Sequence, residues 1–341
     1  MKALVTGGGG FLGKAIVSKL LERGDAVRSL ARGDYPELAG WGVETLRGDL
    51  ADRDVVMRAL EGCDIVFHIA GKAGMWGHYE DFRLTNLVGT DNVIAACRSH
   101  AVPRLVYTST PSVVHTGGDI EGADESLPYA ERFEGAYPET KAEAERHVLA
   151  ANGDQLSTIA IRPHLIWGPG DNQLMPRLLE RARSGQMRYV GRRDKLIDTV
   201  YIDNAADAHL AAGDRLEPGA ACAGKAYFVS QGDPWPASKI TNALLAAAGL
   251  PPVTRRLPLW FAYAIASLAE ASYRLLRIES EPPVTRFVVQ QMAAAHWYDI
   301  SAARRDLGYD PRVSIEEGLA KLRCHFEKEN AASRRGESPR P

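Results

Sequence analysis

The sequence predicts an α/β protein, a doubly wound parallel sheet with a smaller, mixed C-terminal region, and three observations carry that expectation. Short β-rich runs alternate with longer helical stretches through the first half, the rhythm of βαβ units. Most of the runs, such as DIVFHIA and RLVYTST, are continuously apolar, as strands covered on both faces are. A glycine cluster, Gly7 to Gly10, lies where the first run gives way to the first helix.

Strands are expected at Lys2–Thr6, Ala26–Ala31, Val43–Arg47, Asp64–Ala70, Arg104–Ser109 and Ser157–Arg162. Crossover helices are expected at Phe11–Arg23, Asp54–Glu61, Tyr79–His100 and Pro138–Ala151. From about Gly168 the rhythm breaks into a helix at Leu174–Ser184, a short strand at Thr199–Ile202 and a helix at Asp203–Arg215, after which Pro and Gly are denser. The expected division is a cofactor-binding sheet over residues 1–165, completed by returning segments, and a substrate-binding region with a lid over 166–330. The polar, Pro-containing stretch 331–341 is expected to be disordered.

Composition excludes several classes. In 341 residues, 41 basic side chains oppose 43 acidic ones, so the basic stripe of a nucleic-acid binder is missing. Cys63, Cys97, Cys222 and Cys324 form no C-x-x-C pair, and the histidines show no ligand spacing, so neither a disulfide framework nor a metal site is expected. No secretory signal is legible at the start, and the most apolar stretch, Leu257 to Ala269, is shorter than the roughly 20 residues that span a bilayer. A reducing, cytoplasmic location is the expectation.

The glycine cluster has the context of a Rossmann-like dinucleotide turn. Gly7 permits the tight turn, Gly10 lets backbone approach a pyrophosphate, and Gly13 allows close helix-to-strand packing. Phe11 and Leu12 then open a helix whose N-terminal N–H groups and partial positive charge suit phosphate. At the end of the second strand an acid would hold ribose hydroxyls, whereas Arg32 stands there and accepts a 2′-phosphate, which points to NADP(H). The competing reading makes Arg32 a solvated charge and gives the ribose to Asp34. After the third strand, Asp49 and Leu50 are placed against the adenine, Asp49 being equally a capping residue.

Tyr137 and Lys141, at i and i+4, share a helix face. An ammonium beside a phenol lowers its pKa and lets it exchange a proton with an alcohol or ketone oxygen. A hydroxyl donor is also needed where charge develops on that oxygen, and Ser109, Thr110 and Ser112 lie together at the carboxyl edge of the fifth strand.

Gly7-x-x-Gly10-x-x-Gly13 with Tyr137-x-x-x-Lys141 resembles the extended short-chain dehydrogenase/reductase superfamily over nearly the whole chain. RPHLIWGPGD (162–171), DTVYIDNAADAHLAA (198–212) and DISAARRDLGYDPRVSIEEGL (299–319) resemble its 3β-hydroxysteroid dehydrogenase branch. GKAGMWGHYEDFRLTNLVGT (71–90), with Arg32, is similar to the bacterial reductases of head-to-head long-chain olefin biosynthesis. The resemblance implies Tyr137 as general acid or base, Lys141 holding the ribose, and Thr110 in place of the family's usual serine, with Ser112 as competitor. It further implies that Ala70, Gly71 and Lys72 line the cofactor, with Asn86 on the adjacent helix and Pro163 and Leu165 on the nicotinamide side.

The reaction so implied is reduction of a 2-alkyl-3-oxoalkanoic acid to the 3-hydroxy acid; the alternatives are a sterol dehydrogenase or a non-catalytic NADP sensor. Met75, Trp76, Trp167, Met175, Trp260, Phe261 and Tyr263 are the apolar material for a long-chain substrate. The stretch Leu257 to Ile278 covers that pocket, lies in a membrane interface, or simply packs. A homodimer through the helices at 79–100 and 138–151, and association with other olefin-pathway enzymes, are the partner expectations.

Overall fold

The structure, a computed structural model, describes residues 1–335 apart from Met75, Arg277, Glu279 and Glu281. Five strands, β1 (Lys2–Thr6), β2 (Ala26–Ala31), β3 (Glu44–Arg47), β4 (Ile65–His68) and β5 (Arg104–Thr108), pair in the order β3-β2-β1-β4-β5. Strands Ser157–Pro163 and Lys225–Val229 extend the sheet beyond β5, and every pairing in it is parallel. The chain winds one way from β1 to β2 and the other way from β1 to β4. That reversal opens a crevice at the carboxyl edge, where such sheets take ligands.

The apolar runs behave as doubly covered strands: Ala3, Leu4 and Val5 of β1 and all four residues of β4 are buried. Helix Phe11–Glu22 buries Leu12, Ile16, Val17 and Leu20, one face at helical spacing. Helix Ile202–Arg215 lies beside it and comes so close to β4 that a Cβ on Gly213 would stand 2.9 Å from Ile65 Cδ1 and Phe67 Cζ. The stretch expected as one helix over 79–100 runs as Tyr79–Phe82, a π-helical turn Arg83–Val88 and Gly89–Ser99. Inserted turns of this kind recur at functional sites.

Helix Ala136–Ala150 is fastened to strand Ser157–Pro163 by a buried ion pair. Arg162 donates to Glu145 from Nε at 3.0 Å and from Nη2 at 2.5 Å, and the Tyr129 hydroxyl donates to the same carboxylate at 2.7 Å. Glu145 is fully buried and Arg162 nearly so.

The second half is mixed, as expected. Ile120–Ala123, Leu196–Ile197, Trp235–Pro236 and His296–Tyr298 form a small sheet with one antiparallel and two parallel pairings. Helices Leu259–Leu275 and Arg286–Ala293 pack through Ala262, Ala266 and Val289. Trp167 and Met175, expected to line a substrate pocket, are instead core residues, with Trp167 Nε1 donating to Thr199 Oγ1. Met75 lies outside the described residues. Helix Ile315–Arg334 occupies the start of the segment expected to be disordered, and residues 336–341 lie outside those described. Among the described residues no helix is long and apolar enough to cross a membrane.

Candidate active site

The crevice is a cleft of about 630 Å³ along the carboxyl edge. Gly7, Gly10, Phe11, Leu12 and Gly13 form its floor at the β1 switch point. Gly7 takes φ +71°, the left-handed region that glycine enters without steric cost. A Cβ on Gly13 would stand 2.1 Å from the Gly7 carbonyl oxygen, so no other residue fits there.

Arg32, Asp49 and Leu50 line one end. The exposed Arg32 guanidinium makes no ion pair among the described residues, and Asp34 is not part of the lining. Asp49 Oδ1 accepts from the Ala51 N–H at 2.9 Å, whereas Asp52 caps the following helix. Tyr35, which the sequence did not single out, also lines this end, and its ring lies where a Cβ on Gly9 would fall.

Ala70 and Gly71 line the middle, held by a defined relay. Thr6 Oγ1 accepts from the N–H groups of Ile69 and Ala70 at 3.1 and 3.2 Å and so gives its own proton to His68 Nδ1 at 2.7 Å. His68 is thereby fixed with its proton on Nε2, toward Thr90 Oγ1 at 3.0 Å. Burial above all, and then the Lys141 charge, push its pKa down to about 3. Asn86, on the π-helical turn, accepts from Lys72 N–H at 2.7 Å and donates to the Lys72 carbonyl at 3.1 Å. The Lys72 side chain turns away, to Asp81 at 2.7 Å, so its backbone is clasped but its ammonium stays outside the lining.

At the far end stand Ser109, Thr110, Tyr137, Lys141, Pro163 and Leu165. Ser109 Oγ is buried without a hydrogen-bond partner. Leu165 holds φ +42°, an uncommon conformation for a branched side chain and the kind of local strain found at ligand sites. Thr110 lies against the Tyr137 hydroxyl, donates from Oγ1 to Ser112 Oγ at 3.2 Å and accepts from the Ser112 backbone N–H at 3.2 Å. Ser112 therefore backs Thr110 and is absent from the lining. Asp171, Gln173 and Leu174 join from the second half; Asp171, which the sequence did not single out, accepts three N–H groups at the start of helix Leu174–Arg183.

Lys141 Nζ donates to the Thr108 carbonyl at 2.6 Å and lies 4.1 Å from the Tyr107 ring centroid. Burial lowers its pKa to about 7 against the opposing pull of Glu145. The expected lowering of Tyr137 by Lys141 is not what the geometry gives. Burial raises the phenol, opposed by the Thr110 hydrogen bond, while the ammonium is turned to Thr108 and loses its charge near neutrality.

A glycine turn at a switch point and a tyrosine–lysine pair at the same edge define the class, the Rossmann-type oxidoreductases. The chain belongs to the 3-beta hydroxysteroid dehydrogenase/isomerase family, whose model matches residues 4–259. It is 55% identical to a 2-alkyl-3-oxoalkanoate reductase of Stenotrophomonas maltophilia, over 95% of this chain and 99% of the relative. A protein of the same description from Shewanella oneidensis is 50% identical, over 94% and 85%. Among solved structures, the UDP-glucose 4-epimerase of Thermus thermophilus in complex with NAD is similar, with TM-score 0.72, 26% identity and coverage of 96% and 99%.

Proposed function

We propose that the protein is an NADP(H)-dependent reductase of 2-alkyl-3-oxoalkanoic acids. The observation that carries this reading is the convergence of the Tyr137 and Thr110 hydroxyls on a cleft floored by the Gly7–Gly13 turn, in a chain 55% identical to a reductase so described.

The cleft fits a nicotinamide dinucleotide. The turn leaves no room for side chains where a pyrophosphate would lie, the buried Ser109 Oγ lacks a partner, and the Arg32 guanidinium stands at the opposite end, where an adenosine 2′-phosphate would reach. When bound, that dinucleotide supplies a hydride to the carbonyl carbon. Tyr137 gives its proton to the carbonyl oxygen, completing the alcohol. Its raised pKa keeps the phenol protonated at neutral pH, the form a reduction consumes. Thr110, held by the Ser112 backbone N–H, turns its hydroxyl proton from Ser112 Oγ to the same oxygen as negative charge builds on it. Lys141 would hold the ribose hydroxyls, with bonds that are stronger while it is charged.

The direct test is NADP⁺ reduction by the full chain with a panel of 2-alkyl-3-hydroxyalkanoic acids, hydroxysteroids and UDP-sugars. Turnover confined to the hydroxy acids supports the reading, and turnover confined to another class overturns it. Arg32→Asp is expected to weaken NADPH binding by about tenfold to a hundredfold, the worth of a charge-assisted hydrogen bond, and to leave NADH nearly unchanged. An unchanged ratio of the two Kd values would return the assignment to NAD. Because Lys141 titrates downward from its ordinary range to about 7, its charge is present below that pH and lost above it. NADPH affinity relative to a Lys141→Met variant should therefore decline as pH rises through about 7.

A further inference from the structure

Helix Leu259–Leu275 is built inside out. At about 100° per residue, Trp260, Phe261, Ile265, Leu268, Leu275 and the following Leu276 fall within one arc of roughly 160°. That arc faces solvent, with Trp260 exposed to 72%, Leu268 to 71%, Leu275 to 84% and Leu276 to 67%. The side turned to the protein carries Ala262, Ala266 and Glu270. Packing ordinarily puts the bulky apolar side chains inward, and a contiguous exposed row marks a surface that something covers.

Charge selects what covers it. Among the described residues from Arg255 to Leu276 the charged side chains are Arg255, Arg256, Glu270 and Arg274. The acid is buried and paired with Arg286 at 2.9 Å and with Arg274 at 3.9 Å, so the row presents no acidic side chain, and Arg255 stands exposed at its N-terminal end. We propose that this face docks on an anionic lipid bilayer, the helix lying in the headgroup plane with Trp260, Phe261, Leu268 and Leu275 in the acyl boundary. A second copy of the chain is the competing occupant, and vesicle binding and sedimentation equilibrium separate the two. The protein-facing side of the same helix supplies Tyr263, Glu270 and Arg274 to a largely polar pocket of about 250 Å³ that also holds Glu134, Arg286 and Trp76. The docking does not rest on the proposed function.

The test is co-sedimentation of the full chain with vesicles of phosphatidylglycerol and phosphatidylcholine, against phosphatidylcholine alone, without substrate. The wild type should bind the anionic vesicles. Leu268→Glu with Leu275→Glu should weaken that binding about tenfold or more by removing two buried leucines. Arg255→Glu should weaken it about fivefold at low salt. Both variants should keep the wild-type melting temperature and NADPH affinity. Failure of the wild type to bind, or binding unaltered by the leucine pair, overturns the proposal. So does a dimer in sedimentation equilibrium that the leucine pair dissociates while no form binds vesicles, which would give the face to a second copy. Because no substrate is present, failure of the reductase reading leaves these outcomes readable.

Discussion

Tyr137→Phe is expected to lower kcat by about 10²- to 10⁴-fold, the range for removing a positioned proton donor. NADPH affinity should move little, because the ring that lines the cleft is retained and only the hydroxyl beside Thr110 is lost. Single-turnover kinetics and a separate titration of NADPH distinguish the two effects. A variant that turns over at the wild-type rate would remove Tyr137 from the chemistry. Thr110→Ser is the informative companion: it restores the hydroxyl usual in the resembled family, so activity should persist. Thr110→Val keeps the shape and deletes the donor.

Arg162→Leu is expected to cost about 3–5 kcal/mol of stability, the range for leaving one member of a buried ion pair uncompensated. The size follows from burial on both sides: Glu145 is fully buried and would keep only the Tyr129 hydroxyl. Urea unfolding of the single variant, of Glu145→Gln and of the double variant forms the cycle that isolates the pair, and the double variant should recover part of the loss. A single-variant cost under about 1 kcal/mol would mean that water reaches Glu145. Glu145 sits one turn beyond Lys141 on the same helix, so its unpaired charge would also raise Lys141 toward its ordinary range. The NADPH pH profile should then shift upward, which ties a stability element to the cleft.

The sheet and the cleft were legible in the sequence because both rest on local signals. The alternation of short β-rich runs with helical stretches marked β1 to β5 and Ser157–Pro163 to within two residues, and the glycine spacing named the floor of the cleft before any geometry was known. What was missed depends on partners distant in the chain. Lys225–Val229 is a five-residue run in a stretch dense in Pro and Gly, and only its pairing with Ser157–Pro163 makes it a strand. Tyr35 acquires meaning only when its ring covers Gly9. Asp171 was not singled out although the helix start at Leu174 was located, because its place in the lining shows only in the fold. Side-chain direction was the other blind spot. Lys72 follows two lining residues yet turns to Asp81, and Trp167 and Met175 are as apolar as a substrate pocket requires but close the core. The lowering of the Tyr137 pKa failed for a similar reason, since helical spacing places Lys141 near it without deciding where the ammonium points.

The late edge strand bears on how the chain is made. Strand Ser157–Pro163 leaves the ribosome with one hydrogen-bonding edge open, and it stays open until residues 164–224 and then Lys225–Val229 have followed. During that interval an apolar, parallel edge is bare in a nascent chain, the kind of surface that invites strand addition and aggregation. At about 5–20 residues per second the exposure lasts several seconds, ample time for a chaperone to engage. A fragment ending near residue 165 would carry the same open edge permanently. Expression of such a fragment should give insoluble protein, and extension through Val229 should restore solubility before any of the later helices is added.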